Sequence, residues 1–250
     1  LNDWLDLRST FSPSVNFQRN GRYWGSLTGV GDGLLPDAQR ETTQSLSYIF
    51  DNIATVRKNF GEHRFTFTGL FSMQTDRFEG DGLRVNDLPF NSSYYNLGSS
   101  TNRQSGTSFF RQVSILSYMA RLNYVFKDRY FATLATRWDG SSKLAEGHKW
   151  STFPSLALGW QMTEENFLKS ANFISDLKLR VSAGISGNNN NISAYESQMN
   201  LSDPTFYDYG GTVALGYAPS RLPNPGLTWE RTRELDLGLD YGFFNGRISG

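Results

Sequence analysis

The sequence has no cysteine, only two histidines and no long uninterrupted run of apolar residues. Without cysteine, a disulfide framework, a thiol nucleophile and a cysteine-ligated zinc site are all excluded. A transmembrane helix needs about 20 consecutive apolar residues, so the sequence predicts none. The 24 basic and 24 acidic side chains balance to a formal net charge of +0, which leaves no electrostatic footprint for nucleic acid.

Aromatic residues and glycines are abundant where charge is scarce. Aromatics make up 15% of the chain, glycine contributes 24 residues, and charged residues reach only 19%, which is below the usual share for a soluble domain. This composition is typical of a strand-rich protein. It fits a membrane β-barrel with rings of aromatic side chains, and it also fits a soluble β-sandwich.

Alternation with a period of two distinguishes these possibilities. Three runs, at 118–126, 130–138 and 155–161, place apolar and polar side chains on opposite sides, with aromatics near the ends of the runs. A strand that crosses a membrane needs one face for lipid and one for water, with rings at the interfaces. The pattern therefore predicts membrane-spanning strands, and Trp138, Trp150 and Trp160 are interpreted as residues of the aromatic girdle.

Residues 176–186 and 227–243 alternate in the same way, with the charged side chains on one side and the apolar ones on the other. A register slip of one residue would move the charges into lipid, at about 2–4 kcal/mol for each Lys or Arg at the midplane. The register is therefore expected to be fixed. The side chains predicted to face the lumen are Arg121, Lys178, Arg180, Glu234, Asp236 and Asp240.

No combination of residues predicts catalysis, a metal site or a cofactor. His63 and His148 have no second histidine or carboxylate at metal-ligand spacing, and no motif supports a Ser-His-Asp triad. The three carboxylates of the 227–243 run could be taken for an enzyme cluster. A polar lining, balanced by the cations of the 176–186 run, is the favoured interpretation.

Several phrases carry a specific family resemblance. They occupy 127–130 (KDRY), 137–142 (RWDGSS), 150–155 (WSTFPS), 174–184 (ISDLKLRVSAG) and 224–230 (NPGLTWE). In this order and spacing they resemble the SusC/RagA family, the TonB-dependent outer-membrane transporters of Bacteroidetes-type bacteria. The phrases extend over about half of the chain, and it is their combination that is specific.

The resemblance implies an all-β fold, part of a large antiparallel transmembrane β-barrel of about 22 strands with a plugged lumen. Residues 1–250 would supply about eight strands from the central portion of that barrel domain, without the plug domain or either end of the barrel. The implied activity is uptake of a nutrient such as an oligosaccharide or peptide. The implied partners are outer-membrane lipid, a SusD-like surface lipoprotein, and TonB acting through the absent N-terminal part.

Three alternatives stay open. The barrel could be a structural or docking subunit of a larger outer-membrane complex, a siderophore-type receptor, or a barrel enzyme such as an outer-membrane protease or lipase. The KDRY and DGSS phrases favour the SusC type over a siderophore receptor.

The connections between the runs are predicted to alternate in length, with short turns on the periplasmic side and long loops outside the cell. The short connections are predicted at 59–61, 127–129, 163–175 and 244–246, and the long ones at 19–42, 78–112, 139–149 and 187–226. Aromatic side chains in two of the long loops could line a substrate chamber or contact a partner protein. They are Phe90, Tyr94, Tyr95, Phe109, Phe110, Tyr207 and Tyr209.

Overall fold

The computed structural model describes residues 3–29, 35–201 and 205–250. These residues form β-strands joined by turns, loops and two single-turn 3₁₀ helices, Leu97–Ser99 and Met162–Glu164. The strands are β1 (Leu5–Trp24), β2 (Asp37–Phe60), β3 (His63–Asn86), β4 (Asn102–Phe126), β5 (Tyr130–Ser141), β6 (Trp150–Gln161), β7 (Ile174–Asn188), β8 (Asn200–Leu201), β9 (Thr205–Tyr209), β10 (Thr212–Gly216), β11 (Pro219–Arg221), β12 (Glu230–Phe243) and β13 (Ile248–Ser249). The predicted all-β class is confirmed.

One sheet contains the long strands, in the order β1-β2-β3-β4-β5-β6-β7-β12-β13. Strands that follow one another in the chain are neighbours as far as β7, which then pairs with β12. The pairing from β4 onward is antiparallel. Seven strands and β12 match the predicted eight, and β13 is the predicted start of a ninth. In the connection between β7 and β12, β9 pairs with β10 and β8 with β11.

The chain divides into two compact units, each with a small buried core. The first unit comprises Leu1–Thr10, Phe50–Met73 and Ser114–Gly250, and the second comprises Phe11–Ile49 and Gln74–Val113. The core of the first is formed by Leu144, Phe153 and Trp229. The core of the second is formed by Ala38, Val85, Leu88 and Leu97.

Two loops predicted from the sequence are shorter in the structure, because strands occupy their ends. The predicted loop at 19–42 is reduced to 25–36, of which 30–34 lie outside the described residues, and the loop at 78–112 is reduced to 87–101. The prediction was wrong here because these segments carry no apolar alternation. Backbone hydrogen bonds to neighbouring strands hold these segments in the sheet without apolar alternation.

The predicted alternation of short and long connections also fails at one place. The connection between β6 and β7, predicted to be short, covers 162–173, whereas the one between β5 and β6, predicted to be long, covers only 142–149. This connection contains the 3₁₀ turn at Met162–Glu164 and further hydrogen-bonded turns after it. It is therefore longer than a hairpin turn.

The tight turns are built by left-handed residues, as hairpins require. Lys127 (φ 55°) and Asp128 (φ 53°) form the turn between β4 and β5 without a glycine. Asn245 (φ 57°) and Gly246 (φ 78°) form the turn that the sequence predicts after β12. These turns set the register of the strands they join.

Candidate functional site

The first unit has two chemically different faces, and the strand register fixes which residue lies on which. One row is apolar in each of five neighbouring strands, from β4 to β12. Leu122, Leu134, Leu156, Ala183 and Leu235 lie opposite one another in turn. Directly opposed residues of an antiparallel pair share a face. The apolar face therefore continues across five strands.

The next row along the strands belongs to the other face. Its members are again directly opposed on neighbouring strands: Arg121, Ala135, Ser155, Gly184 and Glu234. The apolar face is exposed rather than packed, since Leu134 is 58% and Leu235 is 78% accessible. An exposed apolar face backed by a polar one is the arrangement that a membrane barrel wall requires.

Aromatic rings border the apolar face at both ends. Toward the connection 142–149, the rings of Trp138 and Trp150 lie 4.5 Å apart, and Tyr118 lies 5.8 Å from Trp138. We call these three residues the loop-side belt. The turn-side belt, near the turn at 127–129, consists of Tyr124, Phe126, Tyr130 and Trp160.

The spacing of the two belts matches a bilayer. Trp150 and Trp160 lie ten residues apart in β6, which corresponds to about 34 Å along a strand. At a strand tilt of about 40° this becomes about 26 Å along the membrane normal, close to the apolar band of about 25 Å in outer-membrane barrels. All three tryptophans predicted for the girdle are in these belts.

Trp150 keeps its position because Gly140, its direct partner on β5, has no side chain. A Cβ at Gly140 would lie 2.6 Å from Cε2 of the Trp150 indole. We expect Gly140→Ala to displace this ring and to lower the free energy of unfolding by about 1–3 kcal/mol. Urea unfolding of the full-length protein in detergent measures the change. Gly159→Ala is the control, because its nearest neighbour would be at 3.4 Å; equal losses for the two variants would contradict the account.

Polar pairs follow the other face where β7 meets β12. Arg180 donates two hydrogen bonds to Asp240, at 2.7 and 2.6 Å. Ser182 donates to Asp236 at 3.3 Å. Two further pairs complete this polar ladder, Ser186 with Glu234 at 3.2 Å and Asn188 with Glu230 at 3.0 Å.

The polar ladder contains most of the residues predicted to face a lumen. Arg180, Glu234, Asp236 and Asp240 belong to it, and Lys178 lies opposite Asp240. Arg121 is on the same face but on β4, so it is not part of the ladder. The carboxylates pair with neutral hydroxyl and amide groups or with one guanidinium, which is the chemistry of a hydrated wall. Whether this face lines a lumen stays a prediction.

At the loop side, three distant segments meet in an apolar cluster. Leu144 from the connection 142–149, Phe153 from β6 and Trp229 from just before β12 are 1%, 8% and 8% accessible. The rings of Phe153 and Trp229 meet edge to face with centroids 5.4 Å apart. Trp229 Nε1 also donates to the carbonyl of Lys149 at 2.9 Å. We call Leu144, Phe153 and Trp229 the loop anchor.

Hydrogen bonds between polar groups also join the segments that meet at the loop side. Asn189 donates to Ser141 Oγ at 2.9 Å, and the Lys143 ammonium donates to the Asn189 carbonyl at 3.2 Å. Arg137 donates hydrogen bonds to Asp139 at 2.8 Å and to Ser117 at 2.9 Å. The loop anchor thus holds the long connection that follows β7 at Trp229, and the hydrogen bonds of Asn189 hold its other end.

The loop anchor was not predicted from the sequence, although the phrases that carry the family resemblance contain Phe153 and Trp229. RWDGSS, WSTFPS and NPGLTWE each contribute to it or to its polar surroundings. The only local signal is an apolar Leu144 inside a polar loop. The structure indicates that these phrases share a structural role, since they meet in space.

The loop aromatics do not form one group. The rings of Tyr94 and Tyr95 are tilted against each other with centroids 4.5 Å apart in the connection 87–101, where Phe90 is exposed. Phe109 and Phe110 are on β4, which corrects their predicted place in a loop. As consecutive strand residues they point to opposite faces, Phe109 toward Phe78 and Phe110 toward Arg77. The two cannot line one chamber.

The other two loop tyrosines are on β9. Tyr207 and Tyr209 are two residues apart and therefore share a face of the β9–β10 hairpin. Both are exposed, and the Tyr207 ring covers Gly216 on the opposite strand. Contact of either group with substrate or partner stays a prediction.

One carboxylate organises the turn side. Glu165, in the connection 162–173, accepts hydrogen bonds from the Tyr130 hydroxyl at 2.5 Å, Trp160 Nε1 at 3.1 Å and Arg129 at 3.1 Å. The hydrogen bond from Tyr130, followed by that from Trp160, lowers the pKa of Glu165 below its ordinary value of 4.5. The carboxylate therefore holds two belt rings in place.

Because the pKa of Glu165 is lowered in the folded state, its stabilising contribution is complete above pH 4.5. It is lost as the pH falls through the lower folded value. We expect Glu165→Gln to lower the free energy of unfolding at neutral pH, and the difference from the wild type to shrink below pH 4.5. Urea unfolding across this range measures it. Glu164→Gln is the adjacent control, and a pH-independent difference for Glu165→Gln would contradict the assignment.

No group of three or more His, Asp or Glu side chains within 3–29, 35–201 and 205–250 is placed to hold a metal ion. In the same residues, no helix is both long enough and apolar enough to cross a membrane.

Comparison with known proteins identifies the family. The family model for the TonB-dependent receptor-like β-barrel matches residues 1–250. TonB-dependent receptor P3 of Formosa agariphila is 31% identical over 98% of this chain and 24% of its own length. TonB-dependent receptor SusC of Bacteroides thetaiotaomicron is 42% identical over 58% of this chain and 15% of its own length. The chain thus spans at most about a quarter of these relatives.

Solved structures share the fold. The RagAB peptide transporter matches with a TM-score of 0.88 and 21% identity over 100% of this chain and 27% of that chain. The "open-open" state of the RagAB peptide importer matches with a TM-score of 0.80 and 22% identity. With a family model that covers all 250 residues, these matches confirm the predicted SusC/RagA resemblance. The chain belongs to the TonB-dependent receptor β-barrel family of the outer membrane.

Proposed function

We propose that the full-length protein containing this chain takes up a nutrient across the outer membrane by TonB-dependent transport. In this proposal, residues 1–250 form barrel wall and extracellular loops, and they carry out no catalysis. The observation that supports it most is the two-faced sheet of the first unit: an exposed apolar face about one bilayer high, between aromatic belts, with a hydrogen-bonded polar face behind it.

The orientation follows from the connections. The connection between β7 and β12 extends from 189 to 229, whereas β4 and β5 are joined by the turn at 127–129. Long connections of outer-membrane barrels lie outside the cell. We therefore assign the loop-side belt to the outer interface and the turn-side belt to the periplasmic interface. The polar ladder would then line the lumen.

The partner and the substrate class are supported by similarity. One solved structure with this fold is named a peptide transporter, and one sequence relative is named TonB-dependent receptor SusC. We propose a SusD-like surface lipoprotein as the partner, TonB as the source of energy through a part of the protein outside this chain, and an oligosaccharide or peptide as the substrate.

Purification of the full-length protein from outer membranes in mild detergent, followed by mass spectrometry, tests this proposal. We expect a surface lipoprotein in one-to-one ratio. Envelope machinery in its place, without such a lipoprotein, would favour a structural subunit. Recovery from the soluble fraction would contradict the barrel itself.

A further inference from the structure

A depression of about 670 Å³ opens on the apolar face of the first unit. Its rim carries large rings, Phe71 from β3, Tyr118 from β4 and Trp138 from β5. Two of these rings belong to the loop-side belt. The depression therefore begins at that belt and lies within the apolar band between the two belts.

The floor of the depression is made of small residues on neighbouring strands. Ala54 on β2, Gly69 on β3 and Ala120 on β4 lie side by side where the surrounding apolar face carries leucine and aromatic side chains. Among the lining residues, polar side chains are few, and one of them, Arg8, is charged. A concave surface of this kind offers dispersion contacts over its length and few hydrogen-bonding groups.

Gly69 shows that the fold itself does not require this space. Its φ is not in the left-handed region, and a Cβ built there would find only Phe67 Cε1, at 3.8 Å. By contrast, a Cβ built at Gly140 or at Gly80 would meet a ring of the protein, at 2.6 Å and 2.8 Å respectively. A glycine inside a strand costs about 0.5–1 kcal/mol relative to alanine, and it often marks a site where a ligand approaches the backbone.

We propose that this depression binds one acyl chain of an outer-leaflet lipid. The inference rests on the proposed function, because the apolar face must meet lipid and the loop-side belt must lie at the outer interface. The small floor lets the chain lie against the backbone, and the Tyr118 and Trp138 rings border it near the headgroup level. The lining is mainly apolar and includes a single charged residue, Arg8, which favours an acyl chain over a peptide or a sugar.

Ala120→Leu tests the proposal, because it fills the floor with three extra carbon atoms. Ala183→Leu is the matched control: it makes the same change on the same face, on β7, away from the depression. The full-length wild type and both variants are purified from outer membranes in mild detergent. Bound lipid is then counted and identified by mass spectrometry.

We expect the wild type and Ala183→Leu to retain one lipid per protein that Ala120→Leu loses. Gly69→Val, which fills the same floor from β3, should lose it too and covers the case in which Ala120→Leu does not fold. Equal lipid content in all folded variants would overturn the proposal. So would a dimer in the wild type that Ala120→Leu dissociates, since a second copy would then cover the depression. Absence of the wild type from outer membranes would overturn the proposed function instead.

Discussion

Replacing Trp229 with alanine is expected to lower the free energy of unfolding by about 3–5 kcal/mol. The side chain is 8% accessible and packs on Phe153 in the loop anchor. The change leaves a cavity beside Leu144 and removes the hydrogen bond to the Lys149 carbonyl, which is worth about 1 kcal/mol by itself. Urea unfolding of the full-length protein in detergent measures the loss.

The same variant should also release the long connection between β7 and β12. The loop anchor holds that connection at its end near 227–229, so limited proteolysis should cut it faster in Trp229→Ala. Trp4→Ala is the control, because Trp4 is 46% accessible and outside the loop anchor. If both variants unfold and are cut alike, the cluster does not anchor the loop.

A charge placed on the apolar face is expected to have the second large effect. Leu156 lies near the middle of β6, between Trp150 and Trp160. We expect Leu156→Arg to destabilise the membrane-inserted protein by about 2–4 kcal/mol, the cost of arginine near the midplane of a barrel. The heat-modifiable folded fraction recovered from outer membranes should fall accordingly.

Ser155→Arg gives the matched control. Ser155 and Leu156 are adjacent and both exposed, with Leu156 46% accessible, but they belong to opposite faces. On the polar face, arginine meets water and should change stability by no more than about 0.5 kcal/mol. Equal losses for the two variants would contradict the assignment of the apolar face to lipid.

The membrane-spanning part of the fold could be predicted from the sequence because two solvents impose the alternation. Residues 176–186 are the clearest case: the apolar and polar faces predicted for them agree with the structure, in which Leu179 lies opposite Leu239 and Arg180 opposite Gly238. Each charge on the wrong face would cost several kcal/mol, so the pattern is strict. The tight turn at Asn245-Gly246 was predictable because both residues readily adopt the positive φ that a two-residue hairpin turn requires.

The remaining parts depend on contacts that sequence alternation does not record. The ends of β3 and β4 run through segments without an apolar period, so Phe109 and Phe110 were assigned to a loop. The loop anchor joins Leu144 to Trp229 across the whole of β6 and β7, and no local pattern pairs them. Under the proposed transport function, a preference for one substrate would depend on loops, whose sequence varies more than that of the strands.

The assignment of one face to lipid and the other to water is the central claim, and spin labels at adjacent positions test it most directly. This chain has no cysteine, so Leu156→Cys and Ser155→Cys each introduce a unique site within it. With the full-length protein in outer-membrane vesicles, we predict that the label at 156 meets oxygen and excludes a water-soluble nickel chelate. The label at 155 should show the reverse. Equal access of the nickel chelate to both labels would contradict the barrel wall.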